Sequence, residues 1–181
     1  MSALIDAYLC PGHVSVITGS GIYEPIAEKY GKPCVISGFE PADILQSILM
    51  IVRQVEAKQA KVEIQYTRVV HPDGNPRARN LLAKVFEPAD DWWRGLGVIP
   101  QSGLQFTGPY KRFDASSIPV EVEKTREAKG CICGSILKGL KQPTECALFA
   151  KACTPDTPVG ACMVSSEGAC AACYQYGSYE K

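Results

Sequence analysis

The stretch PCVISGFEPADILQSILMIVRQV, Pro33 to Val55, changes its hydrophobic period halfway along. Its first part, Pro33 to Phe39, is a short apolar run bounded by Pro and Gly, the pattern of a buried strand. Pro41 then stands where a helix favours proline, in its first turn. Beyond it Ile44, Leu45, Ile48, Leu49, Val52 and Val55 recur at helical spacing and predict a core-facing side. A strand followed at once by an amphipathic helix is a unit of an α/β fold.

The flanking sequence repeats that unit. Ala3 to Leu9 (ALIDAYL) predicts a strand ended by the turn Cys10-Pro11-Gly12, and Tyr23 to Tyr30 (YEPIAEKY) predicts a helix stopped by Gly31. On the other side Lys61 to Val70 alternates as a strand, HPDGNP is a loop, and Arg77 to Phe86 carries Leu81, Leu82, Val85 and Phe86 on one helical side. Alternating strands and helices predict a partial parallel sheet flanked by helices. Ligands of such sheets sit beyond the carboxyl ends of the strands. Two loops fall there, Cys10 to Ser15 (CPGHVS) and Gly38 to Pro41 (GFEP), and they bring His13 and Glu40 to one edge. Turn shaping by Pro and Gly, with Glu40 at a helix start, accounts for the same residues without chemistry.

The pattern changes at Asp90. Asp90 to Ala115 is rich in Gly, Pro and aromatics and predicts irregular extended segments closing over the α/β layer. Val120 to Lys129 is charged, a solvated linker or helix. The expected organisation is an α/β domain over residues 1–119 and a small Cys-rich module over 120–181.

The 19 Lys and Arg balance the 19 Asp and Glu, so no global charge draws the chain to nucleic acid or an anionic membrane. No apolar run approaches the ~20 residues that cross a bilayer. The start lacks the basic and apolar regions of a signal peptide, which predicts a cytoplasmic protein. In that reducing compartment clustered cysteines point to metal or redox chemistry rather than structural disulfides. Nine cysteines are present, an odd number, and all but Cys10 and Cys34 lie between Cys131 and Cys173.

Their spacing does not follow paired C-x-x-C metal sites, apart from the single Cys170-Ala171-Ala172-Cys173. The two histidines, His13 and His71, are distant, so a metal here would have thiolate ligands alone. Four soft thiolates suit zinc or an iron–sulfur cluster. Scattered ligands suit a cubane whose irons each take one thiolate from a different segment, but spacing alone leaves both metals open. Burial would account for cysteines beyond four ligands.

The segments CPGHVSVITG, GFEPADILQ, WRGLGVIPQSGL, ECALFAKACTPDTPVGACMVSSEGACAA and the closing YQYG resemble the HypD family of hydrogenase maturation factors along nearly the whole chain. The resemblance implies a [4Fe–4S] cluster on Cys133, Cys146, Cys153 and Cys170. It leaves Cys10, Cys34, Cys131, Cys162 and Cys173 outside that quartet. It further implies a scaffold that, with a HypC-type chaperone and a HypE-type cyanide donor, assembles a transient iron carrying cyanide and carbon monoxide for [NiFe] hydrogenase. The cluster would supply or relay electrons. His13 would hydrogen-bond a cyanide nitrogen or tune a thiolate, and Glu40 would serve proton transfer. The Cys-Gly…His and Gly-Pro-Gly-Cys-Pro-x-Cys motifs of the family's amino-terminal half do not occur here, so the resemblance is to the carboxyl half. Two other functions compete: a zinc-stabilised interaction module, and a thiol–disulfide oxidoreductase using Cys170 and Cys173.

Overall fold

The computed structural model describes residues 5–121 and 128–177. By internal packing the chain divides into two compact units, Ile5–Phe86 and a second that begins at Glu87. Residues 87–119, assigned from the sequence to the α/β domain, group with the cysteine-rich part.

The first unit runs β1 (Tyr8–Pro11), α1 (Gly12–Thr18), α2 (Glu24–Tyr30), β2 (Cys34–Ser37), α3 (Pro41–Glu56), β3 (Val62–Ile64) and α4 (Pro76–Val85). Its sheet has the order β1-β2-β3, and both pairings are parallel. The α/β expectation therefore holds. Central β2 is buried at every position, as the continuous apolar run predicts for a strand covered on both faces. Cys10, Cys34, Ile36 and Val70 form the core, with Val16, Tyr23 and Ile26 packed against it.

Three local expectations are corrected. Of the strand expected over Ala3 to Leu9, Ala3 and Leu4 lie outside the described residues, and the strand runs from Tyr8 to Pro11; a proline is tolerated there because β1 is an edge strand, with no ladder partner beyond it among the described residues. The turn that follows opens a short helix, α1, in which the Ser15 hydroxyl donates to the Pro11 carbonyl at 2.9 Å. The strand expected over Lys61 to Val70 ends at Ile64. Past it the backbone N–H groups of Gln65 and Tyr66 both donate to the Ile36 carbonyl, and the chain turns.

The largest correction concerns α3. The apolar side predicted to face the core is exposed: Leu45, Ile48, Leu49, Val52 and Val55 lie outward, and only Ile44 is half-buried. The buried positions are Asp43, Ser47 and Gln54. Hydrogen bonds explain the choice. Ser47 donates to Ser37 Oγ at 2.8 Å, and Gln54 donates to Glu63 and accepts from the Lys61 N–H. The Asp43 carboxylate accepts both Arg68 Nη1 and Nη2, at 2.9 and 2.7 Å, and Gln65 Nε2 at 2.9 Å. A buried polar group without partners costs more than an exposed apolar one.

In the second unit β4 (Phe86–Trp93) and β5 (Gly97–Phe106) pair as a two-stranded sheet, not as irregular segments. Gly95 and Gly97 supply the positive φ angles of the connection, +81° and +85°. Three short helices follow, α5 (Cys133–Leu137), α6 (Ala161–Val164) and α7 (Ala169–Tyr176). Most of the charged linker expected over Val120 to Lys129 lies outside the described residues. Among the described residues no helix is long and apolar enough to cross a membrane.

A candidate metal centre of clustered thiols

The second unit has one core of buried side chains, and its commonest member is cysteine. Cys133, Cys153, Cys162 and Cys170 are buried beside Ile136, Phe149, Met163 and Ala171, while Cys131, Cys146 and Cys173 are half-buried against them. All nine cysteines are free thiols. Cys133, Cys146, Cys153 and Cys170 reach the second unit's core from three local structures. Cys133 opens α5 and Cys170 lies in the first turn of α7. Cys146 and Cys153 bound a tight loop, closed where the Cys153 N–H donates to the Leu148 carbonyl at 2.9 Å. Ala150 takes a positive φ of 56° inside it.

Two glycines admit the sulfurs. A Cβ on Gly160 would stand 2.6 Å from Cys131 Sγ, so the missing side chain is the space that this thiol occupies. A Cβ on Gly168 would collide with the Cys162 carbonyl, and its absence lets α6 and α7 close until Cys162 Sγ donates to Cys170 Sγ at 3.0 Å. The Val159 N–H donates to Cys153 Sγ at 3.3 Å, and Cys146 Sγ donates to the Gly130 carbonyl at 3.8 Å.

The thiols also share electrostatics. Burial raises the pKa of Cys131, and the neighbouring Cys133, Cys146 and Cys153 raise it further. Cys170 is raised by burial and by Cys133, Cys146 and Cys153. Cys133 is raised by burial and by its hydrogen bond with Cys162, and Cys162 is pushed up to about 11 by burial and by Cys170. Packed thiols that resist ionisation one by one suit a positive centre able to hold several thiolates together. The donor set fits an all-thiolate metal group: Cys133, Cys146, Cys153 and Cys170 converge in one core, three buried and one half-buried. Among the described residues no three His, Cys, Asp or Glu side chains already stand as the shell of a single ion.

The same core holds Cys131 and Cys162, which the family resemblance leaves outside the quartet. Cys173, the C-x-x-C partner of Cys170, is half-buried one turn along α7, and the sulfur that meets Cys170 is that of Cys162.

In the first unit His13 and Glu40 stand beyond the carboxyl ends of neighbouring parallel strands, as expected. Both are exposed. The His13 ring lies 5.2 Å from that of Phe39, which joins the two loops. Glu40 occupies the N-cap position of α3 but makes no side-chain cap hydrogen bond. The sequence reading passed over Asp43 and Arg68 at this edge. Arg68, paired with Asp43, also lies over the Tyr66 ring at 4.7 Å. An acidic residue facing inward from an amphipathic helix, four residues before a serine, was the available signal.

Comparison with known proteins places the chain. The family model described as "HypD: Hydrogenase formation hypA family" matches residues 1–177. The chain is 48% identical over 178 residues to the hydrogenase maturation factor HypD of Cupriavidus necator, covering 97% of this chain and 47% of that protein. It is 49% identical over 178 residues to HypD2 of Bradyrhizobium diazoefficiens, covering 97% and 47%, and 47% identical over 175 residues to HypD of Azotobacter vinelandii, covering 96% and 46%. The chain spans about half the length of the curated relatives that it matches. With nearly all of its residues matched, it belongs to the HypD family.

Proposed function

We propose that this chain serves hydrogenase maturation as the cluster-bearing part of an iron–sulfur scaffold. The observation that supports this most is the gathering of seven thiols, four of them buried, in one core of a HypD-family chain. Cys133, Cys146, Cys153 and Cys170 hold a [4Fe–4S] cluster, which supplies or accepts single electrons when bound. The cargo is an iron that acquires cyanide and carbon monoxide, with a HypC-type chaperone and a HypE-type cyanide donor as partners. His13 and Glu40 serve that cargo from the sheet edge, His13 as a hydrogen-bond donor and Glu40 as a proton acceptor. Asp43 occupies both terminal nitrogens of Arg68 and so holds that cation in place beside Glu40.

Cys131, in the same core two residues before Cys133, is the alternative fourth ligand. The charges of Cys146 and Cys153 act on Cys131, and those of Cys133, Cys146 and Cys153 act on Cys170, so Cys131 and Cys133 both reach the other thiols of the quartet. With Cys131 as the ligand, Cys133 and Cys162 remain as an adjacent buried thiol pair beside the cluster.

Metal and sulfide analysis of anaerobically purified protein, read beside its visible spectrum, tests the proposal. The expected result is about four irons and about four acid-labile sulfides per chain. Zinc without sulfide would replace electron transfer by a zinc-stabilised interaction module, and a metal-free dithiol lost in Cys173→Ser would favour the oxidoreductase. Cys146→Ser, Cys153→Ser and Cys170→Ser each lose the iron, and Cys162→Ser retains it. Of Cys131→Ser and Cys133→Ser, the variant that loses iron names the fourth ligand.

A further inference from the structure

The outward side of α3 has no role in the folded unit. Leu45, Ile48, Leu49, Val52 and Val55 follow a helical stripe and are between 43% and 69% exposed. The helix cannot roll to bury them. Rolling would part Asp43 from Arg68 and Gln65, and Ser47 from Ser37, and leave polar groups unpaired against the sheet. The stripe is therefore held outward, open to a body outside the unit.

Its size bears on what covers it. From Leu45 to Val55 the stripe is about 15 Å long and about 10 Å wide, roughly 150 Å² in footprint. Each partner of a stable complex contributes about 800 Å². Two copies meeting through α3 alone would fall far short. The cover must come from a body large enough to extend over neighbouring surface as well. The family supplies a body of that size, because each relative contains about as much chain again as this one matches.

We propose that the Leu45–Val55 stripe of α3 docks the polypeptide corresponding to the unmatched half of the longer relatives, through an apolar face of that half. The contact is the same whether the two parts are joined in one chain or meet as separate chains. It rests on the exposed stripe and on the relatives' length, and is independent of the cluster.

The test co-expresses this chain with the unmatched half of the Cupriavidus necator relative and measures their affinity after purification. A complex of one copy of each is expected. Leu49→Lys with Val52→Lys weakens it by about tenfold or more, while the circular dichroism spectrum and Tm of the chain alone stay at wild-type values, because both side chains are exposed. Should that variant fold poorly, Ile48→Gln with Val55→Gln reads the same surface without added charge. Leu104→Lys, on exposed β5, leaves the affinity within about twofold. The proposal is overturned if no complex forms, if the α3 variants bind as tightly as wild type, or if Leu104→Lys weakens binding as much. It is overturned as well if wild type forms a homodimer that the α3 variants dissolve without any effect on the relative's half.

Discussion

Replacing Gly12 by alanine tests how tightly the carboxyl edge of the sheet is built. The added Cβ would stand 2.5 Å from the Ser37 carbonyl oxygen and 2.7 Å from Tyr66 Cδ1. A comfortable carbon–oxygen approach is about 3.3 Å or more, so something must yield by about 0.8 Å. Ser37 cannot retreat, because it ends the fully buried strand between β1 and β3. The Tyr66 ring is packed against the Arg68 guanidinium, 4.7 Å from the ring centroid, and Arg68 is itself paired with Asp43. Overpacking of this kind costs about 1–3 kcal/mol, and a fixed backbone oxygen together with a second obstacle place this case near the upper end. For a unit the size of Ile5–Phe86, about 3 kcal/mol lowers Tm by about 12–24 °C. Urea unfolding followed by circular dichroism measures it, with an unchanged m-value showing that stability alone has moved. Gly21→Ala is the control: nothing stands within 4 Å of its added Cβ, and its stability stays within about 0.5 kcal/mol. A Gly12→Ala protein less than about 1 kcal/mol below wild type would refute the packing derived for this edge.

Asp43 predicts a defined acid response. Arg68 and Gln65 hold its carboxyl at about 2, below the ordinary 3.8. A depressed folded-state value means that its stabilising effect is complete above pH about 4 and is lost as pH falls through about 2. The stability gap between wild type and Asp43→Asn, measured in urea at successive pH values, is therefore constant from pH about 5 upward and narrows toward pH 2; a gap that does not narrow contradicts the pairing. The thiols predict an order of reaction with a small alkylating reagent in metal-free protein. Half-buried Cys131, Cys146 and Cys173 react first, while Cys10, pushed up to about 12 by burial beside Cys34, reacts only as the first unit unfolds. Early labelling of Cys10, identified by peptide mapping, would show that β1 opens locally.

The sequence carried the fold where period and punctuation agreed. Pro41 and the helical spacing after it set α3 from Pro41 to Glu56, and Gly31 ends α2 in a left-handed cap with φ of 61°. It misjudged which side of α3 is inner. Hydrophobic spacing marks the side that seeks cover but does not say which body provides it. Here the sheet presents Ser37 and Glu63 to the helix, the turn after β3 presents Gln65, and the polar residues of α3 answer them. The β4–β5 pairing was hidden for another reason: Pro, Gly and paired tryptophans break strict alternation, while cross-strand bonds such as Trp93 Nε1 to Ser102 Oγ at 2.7 Å depend on register, which local pattern does not express.

The thiol core was legible as a group and not as an assignment. Spacing along the chain orders cysteines in one dimension, and Cys131 and Cys133, two residues apart, both reach the same core. What separates them is the ground each sulfur occupies. Cys131 lies over Gly160, whereas Cys133 is buried toward Cys162. Gly160→Ala uses that difference. The residue has φ of −99° and ψ of 153°, which alanine adopts without strain, so the backbone is undisturbed. The new methyl would take the place of Cys131 Sγ, 2.6 Å away, while its 3.5 Å approach to Cys133 Cβ is an ordinary contact. If Cys131 is the fourth ligand, Gly160→Ala protein reconstituted without oxygen holds less iron and shows a weaker visible band than wild type, as Cys131→Ser does. If Cys133 is the ligand, both variants keep their iron, and the thiol over Gly160 only lines the core. Iron lost from Gly160→Ala but kept in Cys131→Ser would mean that residue 160 shapes the loop before α6 rather than the sulfur above it, and would refute the reasoning from the missing side chain.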